Sequence, residues 1–220
     1  MEPFCILIGA APLEESAAVL RNLLNNHPRF LLALDGGISF CLKQGIRPDL
    51  WLGDMDSAGR DLIPSVEAAF PGLSIETCSP IKDETDMDLG IRRLHELCPE
   101  VKDFRLFGGA GGERMDHTLA NIQLMHREAS LGNRCLLIAS KCFLQVIVND
   151  TLTLPARPTG TLSVFSLTDR SEGVRIAGAF YPYEGTLTNT FALGVSNQFT
   201  GNPVTIGVQK GALLVCWAPE

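Results

Sequence analysis

The feature that most constrains this chain is a switch of hydrophobic period near residue 143. Before it, the runs FCILIGA, FLLALD, LWLGD, LSIETC, FRLFGG and CLLIA are near-continuously apolar, as strands buried on both faces should be. Between them lie LEESAAVLRNLL, GISFCLKQG, GRDLIPSVEAAF, DMDLGIRRLHEL and DHTLANIQLMHREASL, each able to place apolar residues on one helical face. This alternation predicts an open parallel sheet with helices on both sides. Beyond the switch, FLQVIV, TLTL, TLSVFSL, GVRIAG, VTIGVQ and ALLVCWA are short and alternating, separated by Pro, Gly, Asn and Asp. That pattern predicts a small all-β sandwich. The expected organisation is an α/β domain over residues 1–141 followed by a β-sandwich domain over residues 142–220.

Charge and composition then exclude several roles. With 220 residues, 45% of them hydrophobic, the chain can bury a substantial core. A formal net charge of −7 argues against a nucleic-acid or acidic-membrane partner. No apolar run approaches the ~20 residues a membrane span needs, and MEPFCILIGAAP lacks the basic start of a secretory signal, so a cytoplasmic location is expected. The seven cysteines are scattered without a CxxC pair and read as buried reduced thiols.

In an open α/β sheet ligands bind beyond the carboxyl ends of the strands. The acidic residues gather there. Asp35 ends FLLALDGG, Asp54 and Asp56 follow LWLG, and Asp83, Asp86 and Asp88 lie in IKDETDMD before a helix. Turn chemistry accounts for part of GDMDS, and helix capping for part of KDETD. Yet bringing Asp54, Asp56, Asp83 and Asp86 together would cost several kcal/mol at the low dielectric of a cleft unless a cation intervened. The cluster is read as a Mg²⁺ site completed by water and substrate phosphates.

A phosphate receptor is expected in FGGAGGERMDHTLANI, where Gly109, Gly112 and their neighbours allow close backbone approach to an anion just before a helix. Arg114 offers a planar fork to phosphate, followed by Asp116 and His117. Asp116 as a helix cap with Arg114 as its surface partner is the plainer alternative. Lys82 is either a second phosphate contact or a solvated charge, and no GKS or GKT of a P-loop is present.

Taken together, LDGG, PDLWLGDMDS, KDETD, GGAGGERMDHTLANI, GVSN and the terminal GALLVCW resemble thiamine pyrophosphokinase of the bacterial type in order and spacing, over nearly the whole chain. The resemblance implies an α/β domain that binds ATP and Mg²⁺ and a β-sandwich for thiamine binding and dimerisation. It further implies a homodimer with active sites at the subunit interface, and transfer of the diphosphate of ATP to thiamine with release of AMP. By position, Asp54, Asp56, Asp83 and Asp86 resemble the family's metal and phosphate acids, and Arg114 with Asp116 its glycine-rich segment. Asp35, Gly36 and Gly37 resemble its ATP-side turn. Ser196 and Asn197 resemble the thiamine side, and Phe199, set in a polar stretch between SNQ and TGNP, is read as a stacking platform for the pyrimidine, with ordinary core packing as the alternative. Asp116 either orients the alcohol or takes its proton. The rivals are a pyrophosphokinase acting on a hydroxymethylpterin, a non-catalytic thiamine or nucleotide sensor, and a metal-dependent phosphohydrolase.

Overall fold

The structure is a computed structural model that describes residues 2–11, 13, 16–54, 57–79, 83–112 and 114–218. It separates into two compact units, Met1–Asn121 with Leu137–Ser140, and Ile122–Leu136 with Lys141–Glu220.

In the first unit, β1 (Cys5–Ile8), β2 (Phe30–Leu34), β3 (Leu50–Gly53), β4 (Ser74–Thr77) and β5 (Asp103–Phe107) alternate with helices. These are α1 (Ala17–Leu24), α2 (Gly37–Gln44), α3 (Ser57–Ala69), α4 (Asp86–Leu97) and α5 (Met115–Ser130). The strands are parallel and ordered β4-β3-β2-β1-β5, with Leu7 opposite Leu32 on one side and Leu106 on the other. Their apolar runs form the core of this unit, where Leu7, Leu32, Trp51 and Phe104 are at most 1% exposed. One expectation needs correction: β4 is only half-buried, because it is an edge strand and Arg93 of α4 reaches over to Glu76 at 2.6 Å. The chain leaves β1 toward β2 on one flank while β5 lies on the other. The strand order therefore reverses between β1 and β5, and a crevice opens at their carboxyl ends.

Local chemistry sets the helix ends near that crevice. Thr85 caps α4 by accepting the Asp88 amide at 3.2 Å, the reciprocal of its own hydroxyl donating to Asp88 Oδ2. Gly37 opens α2 where a Cβ would lie 2.0 Å from the Ile8 carbonyl oxygen, so only glycine lets this helix start directly against the end of β1.

In the second unit, β7 (Phe143–Val148), β14 (Ala212–Trp217), β9 (Thr161–Ser166) and β12 (Gly194–Gln198) neighbour one another antiparallel. A four-stranded antiparallel sheet follows the order β11 (Tyr183–Leu187), β10 (Ser171–Ala177), β13 (Val204–Gly207), β8 (Thr151–Leu154). Leu162, Val164, Leu213 and Val215 of one sheet share a core with Leu154, Val174, Ile176 and Ile206 of the other. The division between units falls within α5 and within β6 (Arg134–Ile138).

The α/β fold followed by an all-β sandwich is thus as the period switch predicts. Strands β11 and β12 were not expected; both are polar and glycine-containing, and both are last in their row of strands. All seven cysteines are free thiols, four buried and three partly so. Among the described residues no helix is long and apolar enough to cross a membrane.

Candidate active site

A cleft of about 440 Å³ lies at the crevice, lined by the segments following β1 and β5 and by the starts of α4 and α5. Its floor is stitched by main chain. The Gly9 amide donates to Phe107 O at 2.8 Å and the Ala11 amide to Gly108 O at 3.1 Å. Gly108 has φ 65°, and a Cβ there would stand 2.4 Å from the Gly9 carbonyl oxygen. Glycine at 108 meets both the left-handed backbone and the close approach.

Two carboxyls meet on one wall. Asp35 follows β2 in a left-handed conformation, φ 41°, uncommon for a residue with a side chain. Its Oδ1 accepts the Asp54 amide at 3.0 Å, and its carbonyl accepts the Trp51 indole at 3.1 Å. The carboxylate can lie there because residue 53 is glycine, whose Cβ would fall 2.2 Å from Asp35 Oδ1. Asp86, the first residue of α4, completes the pair with a side-chain hydrogen bond to Asp35. Burial first, then that bond and the Asp86 charge, push the Asp35 carboxyl up to about 7, against the lowering effect of the Asp54 amide. The second carboxylate beside it disfavours ionisation of the first.

Among the acids expected at the metal, Asp86 meets Asp35 on the cleft wall, whereas Asp54 meets it through its main-chain amide and is not among the cleft-lining residues. Asp83 is exposed and is not part of the cleft wall. Asp56 and Lys82 lie outside the described residues. Among the described residues no three His, Cys, Asp or Glu side chains form a ready-made metal cage. Gly36 and Gly37 do not line the cleft; Gly36 is exposed, and Gly37 is buried against the end of β1.

Gly109, Gly111 and Gly112 form the opposite wall, with φ 90° at Gly111 and 72° at Gly112. Arg114 stands at the mouth. Its guanidinium, 65% exposed, forks onto Asp116 at 2.9 and 2.7 Å and donates to His117 Nε2 at 2.6 Å. Because arginine only donates, His117 Nε2 must be the accepting nitrogen. The Arg114 hydrogen bond lowers the Asp116 carboxyl to about 2. Arg114 and His117 line the cleft, whereas Asp116 does not. The pairing of Arg114 with Asp116 in the plainer reading is therefore present, at the rim of a cleft rather than on a plain surface.

In the second unit the three residues expected to meet thiamine part company. Ser196 is exposed, with φ 61°, and its amide donates to Ser163 Oγ at 3.1 Å. Asn197 is buried and clamps main chain: Oδ1 accepts the Tyr181 and Gln198 amides at 2.9 Å each, and Nδ2 donates to Tyr181 O at 2.7 Å. Phe199 takes the core alternative rather than the stacking one. It is 4% exposed, bridged to Ala179 just after β12, and packed in the sandwich core beneath the Arg157 guanidinium, which lies 5.4 Å from its ring centroid. A ring so enclosed has no face to offer as a platform within this unit.

Sequence reasoning passed over Gly9, Ala10 and Ala11, the turn after β1, and Thr118 and Asn121 of α5. Small residues directly after the first strand of an alternating β/α chain were a usable signal, because that turn borders the switch point.

With this geometry in view, comparison with known proteins is informative. The family model described as "Thiamin pyrophosphokinase, catalytic domain" matches residues 20–137, more than half of the chain and inclusive of both cleft walls after β1. A thiamine pyrophosphokinase of Bacillus subtilis is 26% identical over 186 residues, covering 84% of this chain and 85% of its own. Thiamine pyrophosphokinase 2 of Arabidopsis thaliana is 27% identical over 143 residues, 57% of this chain and 52% of its own. Among solved structures, the thiamine pyrophosphokinase of Bacillus subtilis superposes with a TM-score of 0.85 at 23% identity, covering 99% of each chain. That of Candida albicans does so with 0.80 at 15% identity, covering 100% of this chain and 90% of its own. At such identities the superpositions speak to fold.

Proposed function

The chain belongs to the thiamin pyrophosphokinase family, and on that premise we propose that it uses ATP and Mg²⁺ to form thiamine diphosphate in the cleft at the ends of β1 and β5. The thiamine hydroxyl oxygen bonds to the β-phosphorus, the bond from the α-phosphate bridging oxygen to that phosphorus breaks, and AMP departs. Such transfer depends mainly on positioning and on neutralising charge that develops on phosphate oxygens.

One observation carries the reading: two carboxyls, Asp35 and Asp86, are held in hydrogen-bond contact opposite a glycine-rich anion loop. A hard cation would offset the repulsion between them. The donors fit Mg²⁺, which takes one or two carboxylates and fills its octahedron with water and substrate oxygens, so a complete protein cage is unnecessary. Asp86 and Asp54 would hold it beside Asp35, joined by Asp56. When bound, it would neutralise the nucleotide's phosphate oxygens.

The remaining roles follow from the chain's own groups. Backbone N–H groups of Gly109, Ala110 and Gly112 receive phosphate, and Arg114 swings its fork from Asp116 to phosphate oxygens. While Arg114 is bound to it, Asp116 is a poor proton acceptor; once the fork has turned to phosphate, the freed carboxylate either orients the thiamine hydroxyl or takes its proton. Of the GVSN segment, exposed Ser196 is the residue we place against thiamine, while Asn197 shapes the backbone next to it. The assembly we propose is a homodimer with its sites shared between subunits.

Incubation with ATP, Mg²⁺ and thiamine, followed by mass detection, tests the reading. Thiamine diphosphate and AMP in equal amounts are expected. AMP without a diphosphorylated alcohol would identify a hydrolase instead.

A further inference from the structure

A glycine-rich turn carries as many carbonyl oxygens as N–H groups, and an oxygen turned into a phosphate cleft repels its ligand. Here two carbonyls of the loop after β5 are tied back. Gly108 O accepts the Ala11 amide at 3.1 Å, and Gly109 O accepts Asn121 Nδ2 at 2.6 Å. Asn121 stands in the second turn of α5, 4% exposed, and lines the cleft. Its Nδ2 and the terminal methyl of Met87 each lie 3.1 Å from where a Cβ of Gly109 would be, so the donor presses directly against the loop. One turn earlier on the helix, Thr118 Oγ1 accepts the Gly111 amide at 3.3 Å, so α5 grips the loop at two points.

We infer that Asn121 is a positioning residue for polyphosphate: by holding the Gly109 carbonyl it keeps that oxygen out of the cleft and leaves the N–H groups of Gly109, Ala110 and Gly112 to face the anion, that of Gly111 being held by Thr118. The inference rests on the nucleotide reading of the cleft given above. The side chain at 121 must donate, be uncharged and be short enough to fit beneath a glycine. Aspartate would offer only oxygens to an oxygen, and leucine of similar size would leave the carbonyl without its donor.

The test uses the full-length chain and titrates ATP and inorganic tripolyphosphate by calorimetry, with Michaelis constants for ATP and thiamine measured alongside thermal midpoints. In Asn121→Leu and Asn121→Asp, the dissociation constants for ATP and tripolyphosphate should rise about tenfold or more, the scale of losing one well-placed hydrogen bond and exposing its acceptor. The thiamine constant should stay within about twofold. Gly109→Ala, which keeps Asn121 but crowds its donor, should weaken the same two ligands selectively and serves if a variant at 121 does not fold. Tripolyphosphate affinity equal to the parent's in the folded variants would overturn the role, as would equal weakening toward thiamine and ATP. A parent that bound neither ATP nor tripolyphosphate would overturn the nucleotide reading itself, a result distinct from both.

Discussion

Asp35 shows how a single residue can work against the stability of the chain that carries it. Its carboxyl is buried beside Asp86, and its backbone sits at φ 41°. The proton affinity is raised in the folded state, from an ordinary 3.8 to about 7. The folded form therefore gains relative to the unfolded one when this acid is protonated, and it loses that gain as the pH rises from about 4 through about 7. Asp35→Asn removes the ionisation. In metal-free protein the variant should match the parent near pH 4 and exceed it at pH 8 by at least about 1 kcal/mol in urea unfolding. Turnover with ATP and Mg²⁺ should fall about a hundredfold or more, as when one strong electrostatic contact in a site is lost. A variant less stable at pH 8 than the parent would mean that Asp35 is held by favourable contacts, and the strained acidic pair would have to be given up.

At the scale of elements, what could be read from the sequence divides along a physical line. Every parallel strand and helix of the first unit appears as an apolar run or an amphipathic stretch, because burial on both faces leaves few polar positions to blur the pattern. Strands β11 and β12 escaped because an edge strand with one exposed flank tolerates glycine, glutamate and asparagine. Missing β12 then misplaced Phe199, which reads as a loop residue between polar neighbours but closes the sandwich core. The acids were visible one by one. Their pairing was not, since Asp35 follows β2 whereas Asp86 opens α4, and only the fold joins them. Phe199→Ala should therefore cost about 3–5 kcal/mol of stability, with thiamine dependence unchanged in the protein that folds. A raised thiamine constant with an unaltered melting temperature would restore the stacking role. Gly53→Ala makes the opposite kind of error, local to the end of β3. The new methyl would stand 2.2 Å from Asp35 Oδ1 and displace the carboxylate from the Asp54 amide. Turnover should drop at least tenfold while the core strand survives, measured as lost activity with far-ultraviolet dichroism retained.

The whole molecule raises a question of exposed apolar surface. Among the described residues eight large hydrophobic side chains are exposed, and five of them, Phe180, Tyr181, Phe191, Leu193 and Val195, fall within one stretch of the second unit. Four of them are grouped in space as well: Phe180 and Tyr181 stack edge to face at 4.8 Å, and Tyr181, Leu193 and Val195 rim one small cavity. A soluble chain rarely leaves such a patch in water, so the proposed homodimer gives it an occupant, a second copy of the same surface. Phe191 and Leu193 are the probes of choice, because at 68% and 52% exposure neither supports the fold of its own chain. Leu193→Asp should leave the melting temperature of dilute protein unchanged. If the patch is the interface, burying a charge in place of a leucine forfeits about 1.5–3 kcal/mol per copy. The change enters twice across a two-fold contact, so the dimer dissociation constant should rise a hundredfold or more by sedimentation equilibrium. Turnover per chain in the variant should then decline on dilution, since a site shared between subunits is lost with the partner. An unchanged dissociation constant would move the interface elsewhere, and a dilution-independent turnover in a variant shown to be monomeric would place the complete site within one chain.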